Sequence, residues 1–137
     1  VIASIRRAGL TQQSYLHSFD WAVLELGERV APDVPRSALA EPGTWLPDSP
    51  WLGSVSYDAF EGDLPAAAAA VGASVVAPHF IAATPSLVQR AHDLGMRVMT
   101  WTVNEPANIR AAIEAGVDIL CTDYPLMAKL ELDALHA

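Results

Sequence analysis

The chain has 137 residues, of which 52% are hydrophobic and 18% are charged, and this composition excludes an intrinsically disordered protein. Its formal net charge of −8 argues against a nucleic-acid or anionic-membrane surface, because no basic stripe is available to neutralise phosphates. No apolar run approaches the roughly 20 residues that a membrane-spanning helix needs.

The first predicted element is a short helix that ends near Gly9. The apolar residues of its first two turns share one face: Val1, Ile2, Ile5 and Ala8. No strand precedes this helix, so we expect the chain to begin inside a strand–helix unit. The lack of an initiator Met agrees with this, and we expect further protein before Val1.

A strand near residues 14–20 and a helix from Trp21 to Val30 form the next unit, and a short strand near 36–40 follows. Asp20 directly precedes the helix. A carboxylate at that position accepts hydrogen bonds from the free N–H groups of the first turn. We therefore predict that Asp20 caps the helix.

The segment from Glu41 to Asp63 is the longest predicted loop, and it follows a strand. Loops of this length inside a compact unit are often lids or binding loops. Two interpretations are open for its aromatic residues: they cover a pocket at the strand ends, or they pin the loop to the rim of the sheet. We favour pinning. The aromatic residues are Trp45, Trp51, Tyr57 and Phe60.

A helix near residues 65–71 leads into a strand near 73–78. Thr84 and Pro85 then begin a helix that ends at Gly95. Threonine before a helix, with proline at the first helical position, is a typical start, and glycine is a typical end.

The last two strands lie near residues 97–103 and 117–122. Each ends at a polar residue, Asn104 or Asp123, before a proline suited to a first helical turn. Ligands bind at the carboxyl ends of parallel strands, so both residues are candidates for a site. We nevertheless favour a helix cap or an Asx-turn over ligand contact for each of them.

Two single residues need an interpretation of their own. His79 follows a strand directly, but no partner lies nearby at metal spacing, so we interpret it as a solvated or hydrogen-bonded loop histidine. Cys121 lies inside the last predicted strand and is the only cysteine, which excludes a disulfide framework and a cysteine-based zinc site. We expect Cys121 to be a small buried side chain.

These patterns predict an α/β fold with a parallel sheet of the β/α (TIM-type) barrel kind. A closed eight-stranded barrel typically needs about 250 residues, and five strands are predicted here. We therefore expect residues 1–137 to be the C-terminal portion of a single β/α-barrel domain, about five strand–helix units, with its N-terminal part outside this sequence. Open edges and an uncovered inner face lead us to expect completion by that half or by a second copy.

Several runs, in this order and spacing, resemble the C-terminal half of the glycerophosphodiester phosphodiesterase family. The combination of Trp-Thr-Val-Asn with Gly-Val-Asp and Thr-Asp-Tyr-Pro, about one helix apart, is specific. The runs are Ser18-Phe19-Asp20, Ala77-Pro78, residues 91–98, Trp101-Thr102-Val103-Asn104, Ala115-Gly116-Val117-Asp118 and Thr122-Asp123-Tyr124-Pro125.

The resemblance implies hydrolysis of glycerophosphodiesters to glycerol 3-phosphate and an alcohol with a divalent metal, Ca²⁺ or Mg²⁺. The family's catalytic motifs are an N-terminal His-Arg-Gly, a Glu-x-Asp metal pair, a His-Asp dipeptide and a further glutamate at a strand end. This sequence has none of them; His92-Asp93 has the letters of the dipeptide but lies on a predicted helix. We assign no catalytic residue and no metal ligand to this chain, and expect it to be inactive alone.

The resemblance places Phe19, Trp101 and Asn104 at the wall of the substrate pocket. For Trp101, a large core aromatic with a bonded indole N–H is an equal alternative. The alternative function is a non-catalytic half-barrel, or a degenerate family member, that serves as an assembly or interaction module. The expected partner is a small glycerophosphodiester, with no nucleic acid, and the cytoplasm is the favoured compartment.

Overall fold

In a computed structural model that describes residues 1–137, five strands form one parallel sheet and α-helices alternate with them. The strands are β1 (Leu16–Ser18), β2 (Arg36–Ala40), β3 (Val75–Pro78), β4 (Arg97–Thr100) and β5 (Ile119–Leu120). The helices are α1 (Ile2–Arg7), α2 (Trp21–Val30), α3 (Leu64–Ala70), α4 (Pro85–Asp93), α5 (Pro106–Ala115) and α6 (Pro125–Leu135). The predicted α/β class, five strands and parallel sheet are confirmed.

The strands lie in the order in which they occur along the chain, from β1 to β5. Ser37 of β2 pairs with Val75 of β3, and Met99 of β4 pairs with Ile119 of β5. Every connection is therefore a strand–helix–strand crossover to the next position, as in a β/α barrel, and all the carboxyl ends meet at one rim.

The side of the sheet that faces the helices holds the main core. Ala38, Val76 and Val98, one from each central strand, are fully buried there against the helices. Trp21, the first residue of α2, is also fully buried, and its indole Nε1 donates a hydrogen bond to the carbonyl O of Leu39, 3.0 Å away. We call this side the outer face, because it would face outward in a closed barrel.

Side-chain caps begin three of the six α-helices: α2, α3 and α4. Asp20 accepts a hydrogen bond from the N–H of Ala22 at 3.1 Å, and Thr84 accepts one from Leu87 at 3.3 Å, so both caps are as predicted. Gly116 ends α5 with a φ of 86°, a left-handed conformation that a side chain would oppose. None of the six α-helices combines the length and apolar composition needed to cross a membrane.

Packing weakens toward the end of the chain. Both residues of β5 are only half-buried, and α6 contains no buried residue. Leu126 and Leu130 on α6 are 71% and 60% exposed. Exposed leucines on one helix form an apolar surface of the kind that another element normally covers.

Candidate active site

Loops leave the carboxyl ends of the five strands and form an acidic rim. These loops hold eight of the chain's sixteen acidic residues and none of its eight Lys and Arg residues, which lie in the helices and at the first positions of β2 and β4. Arg90 of α4 reaches the rim but is paired there with Asp63, 2.9 Å away, so an anion bound at this rim would need other cationic partners. The acidic residues of the rim are Asp20, Glu41, Asp48, Asp58, Glu61, Asp63, Glu105 and Asp123.

Phe19 and Trp101 lie side by side at this rim. Their ring centroids are 5.6 Å apart and the ring planes meet at 84°, an edge-to-face contact. The indole Nε1 of Trp101 donates a hydrogen bond to the carbonyl O of Ala77, 2.9 Å away. Both aromatic residues are half-buried. The structure thus brings two of the three predicted pocket residues together at the carboxyl ends of the strands.

His79 is the third ring of this aromatic group. It pairs with Trp101 as an isolated continuation of β3 and β4, and the two rings meet edge to face with centroids 5.2 Å apart. The His79 Nδ1 accepts a hydrogen bond from the N–H of Ile81 at 3.4 Å, at the start of a 3₁₀ helix over Phe80–Ala82. The prediction of a hydrogen-bonded loop histidine is confirmed. When Nδ1 accepts, a neutral ring carries its proton on Nε2.

Asn104, the third predicted pocket residue, uses its side chain to join two loops. Its Nδ2 donates to Asp123 Oδ2 at 2.8 Å, and its Oδ1 accepts from the N–H of Asp123 at 3.0 Å and from Thr122 Oγ1 at 3.2 Å. Neither α5 nor α6 has a side-chain cap, and the hydrogen bonds of Asn104 run to the β5 loop and not to its own, so the prediction of a helix cap or an Asx-turn at Asn104 and Asp123 is wrong. The reason is register: β4 and β5 are neighbours, and their ends bring the two polar side chains within bonding distance.

The long loop from Glu41 to Asp63 packs against the helix layer. Trp45 stacks on Trp21 of α2 with ring centroids 5.7 Å apart, and Tyr57 packs against Trp45 at 4.9 Å. Leu52 is buried. Because these anchors face the outer side of the sheet, the structure supports the interpretation that the aromatics pin the loop, and it does not place them over the Phe19–Trp101 pair.

A polar pair, the buried Ser37 and the exposed His17, lies on the inner face, the side opposite the helices. His17 and Ser37 are register partners on β1 and β2, with Nδ1 and Oγ 2.9 Å apart. They line a cavity of about 230 Å³ together with Val75, Met99 and Ile119. His17 is exposed overall, and partial burial of its ring beside Ser37 lowers its pKa below the usual value. Neither His17 nor Ser37 was a predicted site residue, although strand alternation places His17 on the same side as Phe19.

Asp118 joins the amino ends of β4 and β5, away from the rim. Its carboxylate accepts hydrogen bonds from the N–H of Val98 at 2.7 Å and from His92 Nε2 at 2.9 Å, while its own N–H donates to the carbonyl O of Val98. Partial burial would raise the pKa of Asp118, but these hydrogen bonds and the charge of Arg97 outweigh it and leave the pKa below its usual value. Asp118 thus holds the amino ends of β4 and β5 together, a structural role that the sequence patterns did not predict.

Two further observations concern metal and thiol chemistry. Cys121 is exposed, so the expectation of a buried cysteine is wrong; it follows β5, which has a neighbouring strand on one side only. No group of three His, Cys, Asp or Glu side chains is arranged to hold a metal ion. The donor set in this chain therefore does not fit the divalent metal that the resemblance implies.

Comparisons with known proteins agree with these features. A model of the glycerophosphoryl diester phosphodiesterase family matches residues 1–127. A search of curated proteins gave no match. A structure determined as a candidate glycerophosphoryl diester phosphodiesterase from Silicibacter pomeroyi DSS-3 is 41% identical, with a TM-score of 0.84, and the match covers 98% of this chain and 42% of that one.

Two more distant structures share the fold. A glycerophosphodiester phosphodiesterase from Parabacteroides distasonis ATCC 8503 is 21% identical with a TM-score of 0.77, over 99% of this chain and 50% of that one. An Oleispira antarctica phosphodiesterase, in complex with the product sn-glycerol-3-phosphate, is 16% identical with a TM-score of 0.62, over 87% of this chain and 41% of its own. The chain thus spans half or less of the length of these relatives.

Proposed function

This chain belongs to the glycerophosphoryl diester phosphodiesterase family, and we propose that it is the C-terminal portion of a barrel that hydrolyses glycerophosphodiesters to glycerol 3-phosphate and an alcohol. The observation that carries the proposal is the 41% identity to the Silicibacter pomeroyi protein over 98% of this chain. Identity at that level extends the similarity beyond the fold to the sequence itself.

Within this function, Phe19 and Trp101 form a wall of the substrate pocket. Their edge-to-face contact and the hydrogen bond from Trp101 Nε1 to Ala77 hold both rings in place at the strand ends. A fixed apolar wall orients the carbon skeleton of a small polar substrate and excludes water from one side of it. Asn104 contributes indirectly, because its hydrogen bonds to Asp123 fix the two loops that follow β4 and β5.

The groups that perform the chemistry are proposed to lie outside this chain. Phosphodiester hydrolysis needs a partner for the negative phosphate oxygens, a base for the attacking water and an acid for the leaving alcohol. The rim offers carboxylates without any Lys or Arg, and no three donors are grouped for a metal. A divalent ion, Ca²⁺ or Mg²⁺, would therefore be held by residues of the rest of the barrel.

Completion of the barrel follows from the open surfaces. Both β1 and β5 have one free edge, and Leu126 and Leu130 of α6 are exposed. Apolar area left in water costs on the order of 25 cal/mol for each Å², so a few hundred Å² is comparable with the stability of a small domain. We propose that an N-terminal half, or failing that a second copy, covers these surfaces.

A complementation assay tests this function. The chain is co-expressed with the part of the Silicibacter pomeroyi relative that it does not match, and release of glycerol 3-phosphate from glycerophosphocholine is measured with and without a chelator. We expect hydrolysis by the complex, loss of it with the chelator, and none by the chain alone.

The contrary outcomes separate the two functional classes. A well-folded complex that hydrolyses no glycerophosphodiester would support a non-catalytic assembly module. Chelator-sensitive hydrolysis by the chain alone would show that the catalytic groups are in this half. Trp101→Ala in the complex, compared with the exposed Trp51→Ala, reports whether the aromatic wall takes part in the reaction.

A further inference from the structure

His79 lies on the inner face of the sheet, at the carboxyl ends of the strands. Side chains alternate along a strand, and Val75 of β3 and Met99 of β4 line the cavity on the inner face. The same alternation places His79 and Trp101, which lie further along these strands, on that face. Both rings therefore face the space that a closed barrel would enclose.

Three contacts fix the orientation of the His79 ring. Its Nδ1 accepts a hydrogen bond from the N–H of Ile81 at 3.4 Å. The Trp101 ring meets it edge to face, and the Phe80 ring lies against it with the centroids 4.5 Å apart. A side chain held in this way keeps its remaining polar atom in one position before a ligand arrives, so binding loses little side-chain entropy.

The second ring nitrogen of His79, Nε2, is free to bind a ligand. The hydrogen bond at Nδ1 is the only one that this side chain makes. No buried side-chain nitrogen or oxygen lacks a partner, so Nε2 reaches solvent, and in a neutral ring it carries the proton. The indole N–H of Trp101 is already donated to Ala77. Of the two nitrogen-bearing rings that meet here, His79 alone therefore has an N–H to offer.

The charge of the rim determines which part of a substrate meets this N–H. The loops of the rim carry eight carboxylates and no Lys or Arg, and Arg90, which reaches them, is paired with Asp63. A surface of one sign disfavours groups of the same sign, so the phosphate lies toward the other half of the barrel. The glycerol, which is uncharged and common to all glycerophosphodiesters, then extends toward His79 with its terminal hydroxyl first.

We propose that His79 binds the substrate of the complete barrel, through a hydrogen bond from its Nε2–H to the terminal hydroxyl of the glycerol. This hydroxyl is the one farthest from the phosphate. The glycerol carbons lie against Phe19 and Trp101, and His79 makes the site select glycerol over a polyol without that hydroxyl. The role rests on the proposed function, and His79 transfers no proton in it.

Hydrolysis by the completed barrel is measured with glycerophosphocholine and with an analogue in which propane-1,2-diol replaces glycerol, so that only the terminal hydroxyl is missing. The kcat/KM of the native complex should be about five- to tenfold higher for glycerophosphocholine, the usual effect of one hydrogen bond. His79→Phe keeps a ring beside Trp101 and removes the N–H. The two substrates should then become equal, chiefly through a higher KM for glycerophosphocholine.

Two further variants control this comparison. His79→Gln has an amide N–H to donate and should restore part of the preference. His136→Phe makes the same substitution just after α6, away from the rim, and should leave the preference unchanged. A preference that survives His79→Phe would overturn the proposal, as would equal kcat/KM values for the two substrates in the native complex, a comparison that needs no variant to fold.

Calorimetry on the same complex separates this inference from the proposed function. The ligands are glycerol 3-phosphate and the phosphate ester of propane-1,2-diol. If the complex hydrolyses neither substrate but binds glycerol 3-phosphate more tightly, and His79→Phe removes the difference, the function is wrong and the contact stands. If it hydrolyses both substrates equally well, the function stands and the contact is wrong. Equal affinities, or no binding of either ligand up to about 10 mM, would also overturn the contact.

The form of the His79 ring is measured in the chain alone, without any reaction. Nitrogen-15 NMR of the histidine side chains at a pH of about 8 should show the His79 proton on Nε2 and none on Nδ1. A proton on Nδ1 would leave Nε2 without an N–H to donate. That result would overturn the proposal whatever the complex hydrolyses.

Discussion

The two faces of the sheet differ in how completely they are packed. On the outer face, Ala38, Val76 and Val98 are fully buried under the helices. On the inner face, burial is limited to β2 and β3, while Met99 and Ile119 on the next two strands are only half-buried. The outer core is thus well packed over the three central strands, whereas much of the inner face is open to solvent.

Because of this difference, the same type of side chain should contribute a different amount to the free energy of unfolding on each face. Burial of apolar surface gives most of the stability of a fold, and a half-exposed side chain contributes only part of it. Pairs of variants, one on each face, measure this difference directly.

The largest effect is expected for the two tryptophans. Each donates its indole N–H to a backbone carbonyl, but Trp21 is fully buried on the outer side and Trp101 is half-buried at the inner rim. Trp21→Ala should lower the free energy of unfolding by about 3–5 kcal/mol, and Trp101→Ala by less than about 2 kcal/mol. Urea unfolding followed by circular dichroism measures both, and equal losses would contradict the distinction between the faces.

A second pair compares neighbours on one strand. Val98→Ala creates a cavity in the outer core and should lower the free energy of unfolding by about 2 kcal/mol. Met99→Ala removes a larger side chain from the inner face and should still cost less than about 1 kcal/mol in the chain alone. In the completed barrel, Met99→Ala should lower the free energy of unfolding by more than it does in the chain alone. An equal loss in both would show that the inner face stays uncovered.

A third effect concerns the β4–β5 edge, where polar contacts replace the core. Asp118→Ala removes the hydrogen bonds to Val98 and His92 and should cost about 1–2 kcal/mol. Because the folded-state pKa of Asp118 is lowered, its contribution is present above the unfolded pKa of about 3.9 and is lost as pH falls through the lower folded value. The free energy of unfolding, measured as the pH is lowered into the acid range, should fall less steeply for Asp118→Asn than for the native chain. The same pH dependence in both would contradict this account.

The smallest effect is expected at His17 on the inner face. Its pKa is lowered by burial, so the folded chain binds fewer protons than the unfolded one below about pH 6.5. Stability should therefore decline as pH falls from about 6.5 through the folded pKa, and His17→Gln should remove that part of the decline. Thermal unfolding between these pH values measures it; a variant with the native pH dependence would show that another group is responsible.

Local signals in the sequence were enough to predict the helices, the strands and the parallel sheet. Asp20 and Thr84 cap their helices as predicted, because capping depends on residues two or three positions away. The parallel sheet followed from apolar runs that alternate with helices and end at glycine or proline. The strand predicted near 36–40 has the observed bounds, whereas the other four were predicted longer than they are, because pairing with a neighbouring strand and not apolar character alone sets where a strand ends.

Those local signals could not predict which side chains of neighbouring strands contact one another. Asn104 and Asp123 are 19 positions apart, and only the pairing of β4 with β5 brings them together. The same holds for His17 with Ser37, whose partnership depends on the register of β1 with β2. Cys121 was expected to be buried because its strand reads as apolar, but burial also requires a neighbour on each side. The pocket roles of Phe19, Trp101 and Asn104 remain predictions.

The strict order of the strands has a consequence for how the chain folds. Each strand pairs only with the strand that precedes or follows it in sequence, so no contact of the sheet requires distant segments to meet first. Pairing in chain order needs shorter loop closures than a crossed topology of the same strands would, and shorter closures favour faster folding. The units can add one after another during synthesis, and a lesion in α6 should leave the pairing of β1 with β2 intact.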